Sequence, residues 1–175
     1  GRAWTLGEGM SCCNSHMSQT RWLSDDEQRM WRRYRDVNQV LELAMERQLQ
    51  RDASMSQSDY SVLVSLSEGS EQGLRARELG AALGWDRSRV SHQVRRMEGR
   101  GLVAKGECPE DGRGTVVTLT EAGAQAIAAV APKHVEKVRE LFIDELTPDE
   151  VGILTDIFER VVNRVGKVDG ITLPR

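Results

Sequence analysis

Cysteine, histidine and long apolar runs are all scarce in this chain of 175 residues, and each shortage removes a class of protein. There are three cysteines, two of them the adjacent pair Cys12 and Cys13. Ser15-His16-Met17 reads as a cloning scar, so residues 1–16 are expected to be vector-derived and Met17 to open the native chain. Cys108 then stands alone. One thiol makes no internal disulfide, so a reducing cytoplasm is the expected compartment. The three histidines, His16, His92 and His134, do not supply zinc-ligand spacing, and no metal is expected. No phosphate-binding glycine loop and no nucleophile with a paired base occur, so neither a cofactor nor an enzymatic reaction is indicated. No apolar run approaches the roughly 20 residues that cross a bilayer. The first residues also lack the basic start and apolar block of a secretory signal. Internal repeats and low-complexity tracts are absent as well.

Positive charge is present, in one place. The net charge is −3, yet Leu74 to Lys105 carries eight basic residues against three acidic ones. That segment is therefore +5 and the remainder −8. Such segregation points to a polyanion as partner where the overall balance does not.

The centre of this segment is "DRSRVSHQVRRMEGRGLV", Asp86 to Val103. At 100° per residue, Val90, Val94 and Met97 share one helical face, while Ser88, Arg89, His92, Arg95 and Arg96 share roughly the opposite one. Arg87 and Gln93 fall at the flanks. Asp86 suits the N-cap, and Gly99 and Gly101 suit the end.

The flanking elements follow from caps and periods. Ser24-Asp25-Asp26-Glu27 is a capping box opening a long amphipathic helix to about Ala53, with Trp31, Tyr34, Val37, Leu41 and Leu49 on its apolar stripe. Ser56 caps a shorter helix. "RARELGAALG" is a third, ending at Gly84. After the basic helix the period changes to two: "LVAKGEC" and "TVVTLT" read as strands joined by the turn "PEDGRG". Thr120 caps a long helix that Pro132 should bend, and Thr147-Pro148-Asp149-Glu150 is a capping box for a last one. "GKVDGITLPR" reads as a loose tail. The expected fold is mainly α with a small β-hairpin wing: a winged helix-turn-helix plus long N- and C-terminal helices. The expected layout is residues 17–54 and 120–166 for the long flanking helices, which the resemblance described next makes the dimerisation region, 55–119 for the winged lobe that would bind DNA and 167–175 as tail.

The stretch "RARELGAALGWDRSRVSHQVRRMEGRGLVAKGECPEDGRGTVVTLTEAG" resembles the MarR family of transcriptional regulators. "ELGAALG", "RVSHQVRRMEGRGLV", the wing "PEDGRG" and "LTEAG" carry the resemblance, which extends over about Ser24 to Val165. It implies a homodimer whose first and last two helices interleave with those of its partner. The apolar stripes from Ile127 to Phe142 and from Val151 to Val165 agree, being too long for one small wing domain to cover. A two-fold dimer would read double-stranded DNA as a palindromic operator, with half-sites roughly 10 bp apart. Repression by occupancy of a promoter is the expected outcome.

The same resemblance implies site residues. Arg89 and Gln93 would reach base edges in the major groove. Ser88 and His92 would contact base or phosphate, and Arg95 and Arg96 would grip phosphate. Many relatives have arginine where this chain has His92. Asp111 would hold Arg113 at the wing tip for the minor groove. Many relatives have a further basic residue where this chain has Thr115. Family members are often released by a small aromatic or phenolic effector. Trp22, Trp31, Tyr34, Arg35 and Asp59 lie on segments that would line its pocket, although core packing is the simpler use of Trp31 and Tyr34. Cys108, at the base of the wing, is the candidate redox thiol. A winged-helix protein-interaction module without sequence-specific DNA binding is the alternative.

Overall fold

The computed structural model describes residues 20–70, 72–107 and 114–170. It forms two units, one ending at Asp36 and one beginning at Val37. Helix α1 (Asp25–Ala53) contributes to both. In the first unit its N-terminus is closed by the Ser24 box: the Ser24 N–H donates to Glu27 Oε2 (2.8 Å) and the Glu27 N–H to Ser24 Oγ (3.3 Å).

The second unit continues with α2 (Gln57–Glu68), the short strand β1 (Leu74–Arg75), α3 (Ala76–Leu83) and α4 (Arg87–Gly99). Strands β2 (Val103–Glu107) and β3 (Thr115–Leu119) follow, then α5 (Glu121–Leu141), a single 3-10 turn at Ile143–Glu145, and α6 (Pro148–Asp169). Each anticipated cap is in place. Ser56, Asp86, Thr120 and Thr147 accept the N–H of Asp59, Arg89, Gly123 and Glu150, respectively. These bonds satisfy amide donors that the first turn of a helix leaves without partners. Gly84 ends α3 in the left-handed region (φ +64°), which turns the chain sharply into α4.

The wing is a three-stranded antiparallel sheet in the order β1-β3-β2, not the hairpin alone that the sequence suggests. Leu74 pairs with Val117 on one side of β3, and Lys105 pairs with Val117 on the other. A two-residue strand has too little sequence to show a period of two.

The core lies where these elements converge. Leu49, Leu63, Leu79, Met97, Val62, Val103 and Val117 are fully enclosed, and Val90 and Val94 join them. The inward stripe anticipated for α4 is thus the side that docks. Gly123 seats the start of α5 against the α4–β2 junction. A side chain there would collide with the Leu102 carbonyl, and Thr120 Oγ1 donates to the Gly101 carbonyl beside it (2.6 Å). Helix α5 continues through Pro132.

His134, for which the sequence offers no partner, has one: its Nδ1 lies 2.9 Å from Gln48 Oε1, and Gln48 Nε2 donates to Asp52 (2.9 Å). The imidazole also packs on the Tyr60 ring, 4.3 Å between centroids. Burial lowers its pKa below the ordinary histidine value.

Helix α6 differs from the expected tail boundary. It runs on through Gly166 and Lys167 to Asp169 and ends at Gly170 (φ +68°). No residue of α6 is buried, although Ile153, Ile157, Phe158, Val161, Val162 and Val165 lie along it.

Candidate nucleic-acid interface

Helices α3 and α4, joined through Gly84, Trp85 and Asp86, form the helix-turn-helix, and the sheet stands beside it. The Trp85 N–H donates to the Gly80 carbonyl (2.8 Å), and Asp86 Oδ1 accepts the Arg89 N–H (2.9 Å). These two bonds set the entry of α4. With Val90, Val94 and Met97 turned into the core, helical geometry sends Ser88, Arg89, Ser91, His92, Arg95 and Arg96 outward, and all six are exposed.

The exposed face is cationic and unneutralised. Among the described residues, no carboxylate lies within ion-pair distance of Arg87, Arg89, Arg95 or Arg96. The one carboxylate within α4, Glu98, is bound by Lys105 Nζ at 2.6 Å. A shallow groove of about 490 Å³ runs along α4 between Arg87, Ser88, Ser91, His92 and Arg95. A larger one, about 760 Å³, opens between α3, α4 and the sheet, with Arg77, Arg87 and Lys105 on its walls and Trp85 beside them. Arg87 borders both grooves, although the sequence pattern placed it only at a flank.

Gln93 is the clear correction. It is 5% exposed and turned inward, and its Nε2 donates to Asp59 Oδ1 at 2.6 Å. A side chain committed there does not reach a base edge. Asp59 is corrected with it. The carboxylate is 1% exposed and fully engaged: Oδ2 accepts from Arg100 Nη1 (2.7 Å) and from the Ser56 N–H (3.0 Å). It does not line an effector pocket in this arrangement. Burial alone would raise its pKa; the bonds from Ser56 and Arg100 outweigh that and hold it below the ordinary value. Arg100, absent from the sequence-derived site, also donates to the Ser54 carbonyl at the end of α1 (3.1 Å). Asp59, Gln93 and Arg100 thus tie α1, α2 and α4 together.

Of the remaining anticipated residues, Trp22, Trp31, Tyr34 and Arg35 lie on the unit ending at Asp36. Trp22 is exposed, as are Trp31 and Tyr34, whose rings stack at 5.3 Å. Cys108, Asp111 and Arg113 lie outside the described residues.

The sequence model of the MarR family matches residues 53–114, the span from the end of α1 through the wing turn. A MarR family transcriptional regulator from Streptomyces coelicolor, Sco3205, solved in complex with DNA, is 38% identical. The match covers 90% of this chain and 99% of that one, with a TM-score of 0.82. This chain belongs to the MarR family.

It is therefore a winged-helix, DNA-binding transcriptional regulator, of a family that is not enzymatic. AbsC, also a MarR family regulator of S. coelicolor, is 38% identical over 83% of this chain and 98% of its own, with a TM-score of 0.80. PcaV, from the same organism and solved with its natural ligand, is 26% identical over 82% of this chain and 98% of its own, with a TM-score of 0.66. In the MarR chain described here, the outward face of α4 is an exposed cationic surface next to the sheet. Among the described residues, no helix is long and apolar enough to cross a membrane.

Proposed function

We propose that this MarR protein is a homodimeric repressor that reads a palindromic operator. One observation carries the proposal. The same chain leaves two large faces without partners: the arginines of α4 and the aliphatic length of α6. Hydrocarbon of that extent is stable in water only when covered, and a second copy offers the same helices in return. Residues 17–54 and 120–166 form the dimer region in this reading, and residues 55–119 the DNA-binding lobe.

Each lobe inserts α4 into the major groove. Arg89 presents paired donors to guanine, Ser88 and His92 contact neighbouring base edges or phosphates, and Arg95 and Arg96 hold phosphates. Arg113, two residues after Asp111 in the sequence, is the candidate for the adjacent minor groove. Occupancy of the promoter then excludes polymerase. Release by a small-molecule effector is supported by the ligand complex of PcaV, and the stacked Trp31–Tyr34 pair next to the exposed Arg35 suits an aromatic one.

The test is selection of sites from random duplex DNA, repeated at two salt concentrations. A palindrome of about 16–20 bp with half-sites one helical turn apart is expected. Recovery of no preferred sequence would reject operator reading and favour an acidic protein as the partner of α4.

A further inference from the structure

Arg89 is anchored at both ends by the two residues that precede α4. Its backbone N–H is taken by Asp86. Its guanidinium carbon lies 4.3 Å from the centroid of the Trp85 ring, within the range of a cation–π contact. Trp85 is itself held: its side chain packs against the core, and its backbone N–H is bonded to the Gly80 carbonyl. At Gly80 a side chain would begin 3.0 Å from the Trp85 carbonyl, so glycine lets the turn sit down on α3.

The contact uses the guanidinium in a particular way. A guanidinium that rests on a ring by its face keeps its five N–H bonds pointing outward in its plane. Asp86, the nearest carboxylate in sequence, is spent on a backbone amide, and among the described residues none is ion-paired to Arg89. The donor edge that fits guanine therefore remains unused, while the long side chain has already lost much of its freedom. Ordering done before association is not charged to binding. Closure of a duplex over α4 would also remove water from the stacked pair and strengthen it.

We propose that Trp85 is a positioning residue for operator readout: it holds the Arg89 guanidinium flat, with its donor edge aimed at the base. This rests on the reading of Arg89 as the base-contacting residue. Trp85 then governs discrimination at Arg89's base pair and leaves the phosphate grip untouched.

The test uses the full chain and equilibrium binding to the selected operator and to operators altered one base pair at a time. Trp85→Leu keeps an apolar side chain against the core and removes the π face; Trp85→Phe keeps a face. Trp85→Leu is expected to weaken operator binding about fivefold. The loss should be confined to the base pair that Arg89→Ala relaxes, with the salt slope unchanged and most of the affinity restored in Trp85→Phe. The double variant Trp85→Leu/Arg89→Ala should bind no worse than Arg89→Ala, because one contact is not lost twice.

A Trp85→Leu loss that is equal on all sequences, or that adds in full to the Arg89→Ala loss, overturns the proposal and leaves Arg89 as the reader. An Arg89→Ala protein with unchanged base preference defeats both. Should Trp85→Leu fail to fold, NMR of the unaltered free protein decides. Arg89 side-chain protons moved upfield by the indole ring current are expected, and unshifted resonances overturn the stacked arrangement.

Discussion

Helices α4 and α6 begin alike and end in opposite conditions. Each is opened by a side-chain oxygen that accepts the N–H three residues on. Helix α4 spends its apolar positions on the core of its own chain and leaves cations in water; α6 buries nothing and leaves aliphatic and aromatic side chains in water. Exposed charge is tolerable in water and becomes useful when a polyanion arrives. Exposed hydrocarbon is costly until something covers it, at about 25 cal/mol per Å². Two helices with similar local rules thus suit different partners, which the proposed function gives as nucleic acid for α4 and a second copy of the chain for α6.

The largest effect should come from breaking the α6 side of this contrast. Phe158→Asp/Val161→Asp removes two side chains worth about 1.5–3 kcal/mol each when covered, in both copies of a two-fold interface. The variant should sediment as a monomer at micromolar concentration. A dimer of unchanged affinity in sedimentation equilibrium would show that α6 is not the interface. Salt sharpens the contrast further. The dimer should respond weakly between 50 and 200 mM, whereas operator affinity should fall about a thousandfold if six arginines, Arg87, Arg95 and Arg96 of each α4, meet phosphate.

Next in size is the inner side of α4. Arg100→Ala strands the Asp59 carboxylate, 1% exposed, without its cation. Loss of one partner of a buried pair costs about 3–5 kcal/mol; the half-exposed Arg100 side chain reduces that here to about 2 kcal/mol. Urea unfolding measures it, and a change within error would mean the pair is idle. Because the folded pKa of Asp59 is lowered, the pair's contribution is present above the ordinary carboxylate value of 3.8 and is lost as pH falls through the lower folded one. Arg100→Ala should therefore lose stability at neutral pH and converge on the unaltered protein in acid.

The outer side of α4 comes third. Arg89→Ala should cost about 1–3 kcal/mol on the operator and relax one base position. Arg96→Ala should weaken every sequence alike and lower the salt slope by about one. Identical behaviour of the two variants would undo the division into base and phosphate contacts.

The smallest effect concerns the interior away from both helices, where His134 of α5 meets Gln48 of α1 and Tyr60 of α2. Burial lowers the His134 pKa, so the unfolded chain binds a proton first as pH falls below the ordinary histidine value of 6.5. Stability should decline from there down to the folded value and then level. His134→Gln should flatten that stretch of the unfolding profile, and an unchanged slope would assign it to other groups.

What was legible in the sequence is what local chemistry decides. Caps at Ser56, Asp86, Thr120 and Thr147 need only residues within one turn, and the inward stripe of α4 needs only a period. Gln93 was misjudged because its place depends on Asp59, 34 residues away, and a helical wheel gives a flanking polar residue no inward partner. Arg100 and His134 likewise depend on partners 41 and 86 residues distant. The Trp85–Arg89 contact spans only four residues and was within reach, yet an aromatic just before a cap reads as packing. Helix α6 passed its expected end because Gly166 looked like a stop, whereas the left-handed cap is Gly170.

The inward turn of Gln93 has a consequence for how such a regulator acquires a new operator. A gene duplicate diverges in target only through side chains that can change without unfolding the lobe. Positions 88, 89, 91 and 92 are open to that drift, while 93, in the same turn of helix, is held to glutamine by a partner on another element. A mutational library built to retarget this protein should vary the first group and leave 93 fixed, so that its diversity falls on functional members and not on misfolded ones.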